Sequence, residues 1–192
     1  MRIGLFGGTF DPVHLGHLRA AESARETLAL DVVAFLPCAI PPHRATSSSA
    51  EDRLAMTRLA TSPNPCFEGW DAELRREGPS YTVDTVAALV SERPDDSFVL
   101  LVGADTWPEM TGWREPERLF ALVEVAVAER PGAPPLELVP PFASARGVLR
   151  VDGPVLAVSA TAVRERVRRG QSVRYLVPDA VADYITGRGL YR

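Results

Sequence analysis

Residues 1–17 read MRIGLFGGTFDPVHLGH, and the fold follows from how this stretch is parsed. Arg2 to Phe6 is a short apolar run closed by Gly7 and Gly8, the pattern of a buried strand delivered into a glycine turn. From Leu15 the apolar residues Leu18, Ala21 and Leu28 recur at helical spacing, with Arg19, Glu22 and Glu26 between them. Strand, turn and helix start together aim backbone N–H groups and the positive helix end at an anion. His14 and His17, three residues apart, share one face of the first helical turn and can address one group. Two imidazoles beside an anion-binding turn point to phosphate chemistry.

Other phosphate-binding schemes fit poorly. A dinucleotide fingerprint needs G-x-G-x-x-G after the strand, and the chain has Gly7-Gly8-Thr9-Phe10-Asp11-Pro12. Walker loops and protein kinases need a lysine, and all 21 basic residues here are arginine. The same absence excludes Schiff-base chemistry through lysine.

Composition sets wider bounds. At 192 residues the expectation is one domain, residues 1–192, with a helical segment from about 159 to 192 packed on it. No run approaches a membrane span and no signal-peptide pattern opens the chain, so a cytoplasmic protein is expected. Cys38 and Cys66 are too few for a disulfide framework, and with three histidines no metal-ligand spacing appears. A net charge of −4 argues against a general nucleic-acid surface, so an anion site must be built locally from arginine and backbone N–H groups.

The remaining chain alternates strand and helix signals. Val32 to Pro37 reads as a second buried strand, making a right-handed βαβ unit whose following loop, carrying His43 and Arg44, belongs beside the glycine turn. Phe67 to Leu74 reads as a strand, and a helix opens near Ser80 to Thr85 with Ser80 and Thr82 as capping hydroxyls. Ser97 to Gly103 is the most apolar strand. It delivers Asp105 to the ligand face, where a carboxylate can accept hydrogen bonds from ribose hydroxyls. Leu122 to Ala128 and Val155 to Val158 complete the strands. Ser159 caps a helix ending near Gly170, with Ala162, Val163 and Val167 as its buried stripe, and Pro178 opens the terminal helix. The fold class is α/β: an open parallel sheet of Rossmann type with helices on both faces.

The run Gly7 to His17 resembles the signature of nucleotidyltransferases of the H-x-G-H type, and its Gly-Gly-Thr-Phe-Asp-Pro lead-in is most similar to bacterial nicotinate mononucleotide adenylyltransferases. The similarity continues through Pro41-Pro42-His43-Arg44, Ser80 to Thr85, Gly103-Ala104-Asp105 through Trp113, Ser159 to Arg164 and Gly189-Leu190-Tyr191, nearly the whole chain. It implies adenylyl transfer from ATP to nicotinate mononucleotide, giving deamido-NAD and pyrophosphate in NAD biosynthesis. It implies His14, His17 and Arg164 as catalytic residues. Gly7, Gly8, Thr9, Phe10, Gly103, Asp105, Ser159 and Thr161 would bind ATP. His43, Arg44, Ser80, Tyr81, Thr82 and Trp113 would bind the pyridine nucleotide. Magnesium would arrive on the ATP phosphates. Three positions depart from the family pattern: Arg44 stands where lysine is common, Arg114 where an aromatic residue often follows the tryptophan, and Ala160 in place of a second serine. Nicotinamide mononucleotide, another phosphate acceptor such as phosphopantetheine, and nucleotide binding without turnover stay open as alternatives. Self-association is open as well.

Overall fold

The computed structural model describes residues 1–42, 45–128 and 147–192. Six strands, β1 (Arg2–Gly8), β2 (Val32–Pro37), β3 (Phe67–Gly69), β4 (Ser97–Gly103), β5 (Glu124–Ala128) and β6 (Val148–Val151), form one sheet. Every neighbouring pair is parallel and the order is β3-β2-β1-β4-β5-β6. The order reverses between β1 and β4, and ligands of such sheets bind beyond the strand carboxyl ends at that switch point.

Strand alternation produces two cores. Val33, Phe35, Val99, Leu101 and Ala126 point to one face, and Ile3, Leu5, Ala34, Leu36, Phe98, Leu100, Val102, Val125 and Val127 to the other. Because both faces must be covered, nearly every residue of the central strands is apolar. Helices α1 (Leu15–Leu28), α2 (Ala50–Thr61), α5 (Ala160–Arg168) and α6 (Asp179–Arg188) supply Ala21, Met56, Val163 and Val181 to the first core. Helices α3 (Thr82–Glu92) and α4 (Pro116–Leu122) supply Val83, Val86 and Leu119 to the second. The expected α/β sheet with helices on both faces is therefore the observed one.

Several local expectations change. The strand expected over Phe67 to Leu74 stops at Gly69, where the Cβ of a larger residue would lie 2.9 Å from the Arg58 side chain, and the Trp70 amide makes the last ladder bond, to the Phe35 carbonyl. Val155 to Val158 is not a strand. The sheet's last strand is Val148–Val151, paired with β5, and the chain leaves it at Gly153-Pro154, where proline lacks the N–H a ladder needs. Of the stripe expected on α5, Val163 is buried but Ala162 faces solvent, and Val167 is half-buried.

The terminal helix is tied down by one carboxylate. Asp52 of α2, itself buried, accepts hydrogen bonds from Tyr184 Oη (2.9 Å) and Arg188 Nε (3.2 Å) of α6. Burial alone would raise its pKa, but the hydrogen bonds from Tyr184 and Ser49 and the Arg188 charge hold it below the usual carboxylate value.

Candidate active site

A cleft of about 670 Å³ opens at the switch point, lined by the β1 turn, the start of α1, the ends of β4 and β5, the start of α3 and the segment entering α5. Its size is that of sites that enclose a cofactor-sized ligand.

Gly7 and Gly8, expected in the turn, are the last residues of β1, paired with Leu36 and Pro37, and the turn itself falls at Asp11-Pro12, where it meets the two histidines. His14 is the N-cap of α1 and His17 its third residue. The His17 amide donates to His14 Nδ1 (3.3 Å) and the His14 amide donates to His17 Nδ1 (3.2 Å), so the two imidazoles build a reciprocal capping box. The rings stack with centroids 3.6 Å apart. Because both Nδ1 atoms are acceptors, Nε2 of each ring carries the hydrogen and is the atom offered to a phosphate oxygen. Two glycines are required by close approach. A Cβ at Gly16 would stand 3.0 Å from His14 Nδ1, crowding the atom that takes the His17 amide, and one at Gly8 would stand 2.8 Å from the Phe10 ring. That ring is buried and meets His17 edge-on at 5.0 Å, which fixes the imidazole's orientation.

Arg164 comes from the far end of the chain. Ser159 caps α5 by accepting the Ala162 amide (3.1 Å), and one turn later Arg164 donates through Nη1 to the Asp11 carbonyl (2.7 Å) and through Nη2 to Thr161 Oγ1 (3.2 Å). The β1 turn and the α5 N-terminus thus meet through one guanidinium. Gly7, Gly8, Thr9, Phe10, Gly103, Ser159 and Thr161 all line the cleft with His14, His17 and Arg164. Asp105 does not: it is exposed in the turn after β4, while Thr106 beside it lines the wall. The chain leaves the end of β4 in a tight turn, with the Thr106 and Trp107 amides both bonded to the Gly103 carbonyl.

The other end of the cleft is built by Tyr81, Thr82, Trp113 and Arg114. The expected hydroxyl caps are not used on α3: Tyr81 is the N-cap and makes no side-chain capping bond, and among the described residues Tyr81, Thr82 and Val83 at that helix start line the cleft. Ser80 instead accepts the amides of Ala39 (3.0 Å) and Ile40 (3.3 Å), pinning the loop after β2. His43 and Arg44 lie outside the described residues.

Several groups here take partners from distant segments that no local pattern announces. Arg53 is fully buried and donates to the Thr9 carbonyl (2.9 Å) and the Ala39 carbonyl (3.0 Å), bracing both loops that flank the cleft; its own burial pulls its pKa down. Glu73 is buried on the cleft wall, where burial pushes its carboxyl up against hydrogen bonds from Ser80 and Thr85, and beside it burial drives the Cys38 thiol up to about 11. Asp11, buried, accepts from the Ser47 amide (2.6 Å), Ser48 Oγ (2.5 Å) and Tyr191 Oη (2.7 Å). Tyr191→Phe removes one of three donors, so it should lower stability by about 1 kcal/mol and leave the fold intact. A thermal melt and the KM for ATP check this, with a modest rise in KM expected because Asp11 also holds Arg164.

Comparisons with known proteins place this architecture. Residues 5–166 match the cytidylyltransferase-like family. The chain is 45% identical over 196 residues, all of both chains, to "Probable nicotinate-nucleotide adenylyltransferase" of Thermus thermophilus. It is 43% identical over 192 residues to the protein of that name from Geobacillus kaustophilus, covering 99% of this chain and 86% of that one. Among solved structures, a nicotinic acid mononucleotide adenylyltransferase of Plasmodium falciparum complexed with NaAD superposes with a TM-score of 0.83. At 17% identity, over 99% of this chain and 97% of that one, it is a likeness of fold.

Proposed function

The chain belongs to the cytidylyltransferase-like family, among the nicotinate-nucleotide adenylyltransferases, and from this premise we propose how its cleft performs the reaction. The enzyme transfers the adenylyl group of ATP to nicotinate mononucleotide, forming deamido-NAD and pyrophosphate in NAD biosynthesis. The phosphate of the acceptor attacks the α-phosphorus and the bond to the β-phosphate oxygen breaks. No covalent enzyme intermediate is needed, because the attacking phosphate is already ionised near neutral pH. Positioning and charge stabilisation then carry the rate.

In this reading the end of β1 and the segment that leaves it, Gly7 to Phe10, cradle the triphosphate with their amides. His14 and His17 present Nε2–H groups to charge developing on the α-phosphate, and Arg164 with Ser159 and Thr161 receives the departing pyrophosphate. The observation that carries the proposal is the shared capping box, which fixes two hydrogen-bond donors at the mouth of an anion-binding turn before any substrate arrives. Gly103 lies against the nucleoside. Asp105, exposed in the turn that follows Gly103, is proposed to accept hydrogen bonds from the ribose hydroxyls of ATP. Tyr81, Thr82 and Trp113 enclose the pyridine ring, and the start of α3 favours a carboxylate there. Ser80 supports the ring site from behind. His43 and Arg44 follow Pro41 and Pro42, which line the cleft, and are proposed as contacts of the acceptor phosphate.

Among the described residues no three His, Cys, Asp or Glu side chains gather to hold a metal ion. Magnesium is therefore assigned to the ATP phosphates and their waters, with no step routed through it. Among the described residues no helix is long and apolar enough to cross a membrane, and we place the enzyme in the cytoplasm, working as one catalytic domain over residues 1–192.

Pyrophosphate release from ATP and magnesium, with nicotinate and nicotinamide mononucleotide supplied separately, tests the reaction. Strong preference for the acid is expected. Turnover with neither acceptor, from folded protein that binds ATP, overturns the proposal.

A further inference from the structure

The two acceptors that the proposed reaction must tell apart differ by one carboxylate charge, so a cation at the ring end of the cleft is the economical way to favour one. Among the described residues lining the cleft, two carry guanidinium groups, Arg164 and Arg114. Arg164 is committed to the phosphate turn through the Asp11 carbonyl. Arg114 follows Trp113 directly and lies over the Tyr81 ring with its guanidinium carbon 4.7 Å from the ring centroid, a cation–π geometry. Trp113, Arg114, Tyr81 and Thr82 therefore converge on the same end of the cleft, beside the start of α3.

The ion pairs of Arg114 orient it and leave donor capacity unspent. Its Nη1 is 4.0 Å from Asp84 Oδ2 and its Nε is 3.5 Å from Glu115 Oε1, both at or beyond the length of a good hydrogen bond. Glu115 is itself engaged by Arg118 at 3.1 Å. The Arg114 side chain is half exposed, at 50%, so a ligand carboxylate can reach the guanidinium without displacing a buried partner. Stacking on Tyr81 also limits the freedom that the long side chain loses when it binds.

We propose that Arg114 is a specificity-determining residue: its guanidinium, shelved on the Tyr81 ring, pairs with the carboxylate of the pyridine ring and adds a side-chain charge to the amides of the α3 start. This rests on the acceptor reading above. It assigns the position where the chain departs from its family's aromatic pattern to recognition of the acid.

The test compares wild type, Arg114→Met and Arg114→Lys by pyrophosphate release with each acceptor, at low and at high salt. Methionine keeps an apolar stem over Tyr81 and removes the charge. Arg114→Met is expected to lower kcat/KM for nicotinate mononucleotide about tenfold through KM, against about twofold or less for nicotinamide mononucleotide and for the KM of ATP. Arg114→Lys should retain the acid preference to within about threefold, and salt should erode the wild-type preference. An acid-to-amide ratio unchanged in folded Arg114→Met, or an equal fall for both acceptors, overturns the inference while leaving the reaction intact. Wild-type protein that turns over neither acceptor overturns the acceptor reading itself, and this assignment with it.

Discussion

His17→Ala is expected to lower kcat about 10²–10³-fold with little change in the KM of either substrate. The size follows from what the ring does. Its Nδ1 is occupied by the His14 amide, so Nε2–H is the group it can give to the α-phosphate, and alanine supplies nothing in its place. The fold survives. The capping box loses one of its two bonds and the edge contact with Phe10, a cost of about 1 kcal/mol, and the His17 amide can still donate to His14 Nδ1. Single-turnover adenylyl transfer beside a thermal melt separates the two effects. Near-wild-type turnover in the folded variant would remove His17 from the mechanism. Loss of ATP binding in step with turnover would make it a structural cap only.

The largest effect on stability should come from Arg53→Met. Arg53 is fully buried, and its two Nη donors satisfy the carbonyls of Thr9 and Ala39, one residue beyond the Cys38 amide to Gly8 carbonyl bond (2.9 Å) that also joins these two loops. Methionine fills much of the same volume and gives no hydrogen bond. Two half-buried carbonyls lose their donor and the Asp11 carboxylate loses a nearby compensating charge. Relief of the guanidinium's own desolvation offsets part of this, and a net loss of about 3 kcal/mol remains. For a chain of this length that lowers Tm by about 6–12 °C. The KM of both substrates should rise together, because the turn holding the phosphates and the loop beside the ring site are released at once. An unchanged Tm would show that water replaces the guanidinium at no cost.

Neither Arg53 nor the Asp11–Tyr191 pair was legible in the chain, whereas the histidine pair was. The difference is one of range. His14 and His17 are joined by the geometry of a single helical turn, so their spacing already states that they share a face. Tyr191 reaches Asp11 across 180 positions and Arg53 reaches Thr9 across 44. No local pattern says that Tyr191, or an arginine between Asp52 and Leu54, must answer a buried carboxylate or a loop carbonyl. Ser80 shows the same limit from the other side. As a hydroxyl before a helix it read as a cap, and the fold spends it on the amides of Ala39 and Ile40. Val155 to Val158 read as a strand because apolar composition is all that periodicity sees, while the hydrogen-bonding edge of β5 was taken by Val148–Val151.

The sequence by itself determined the βαβ start, the histidine pair and the sheet's parallel character, because each is written in residue types within one or two turns of chain. Tertiary structure alone decided the strand order, which of the polar residues face the cleft, and which are consumed in holding it. Those outcomes depend on buried polar groups finding partners from distant segments, and a folded backbone is what brings the partners within hydrogen-bond reach.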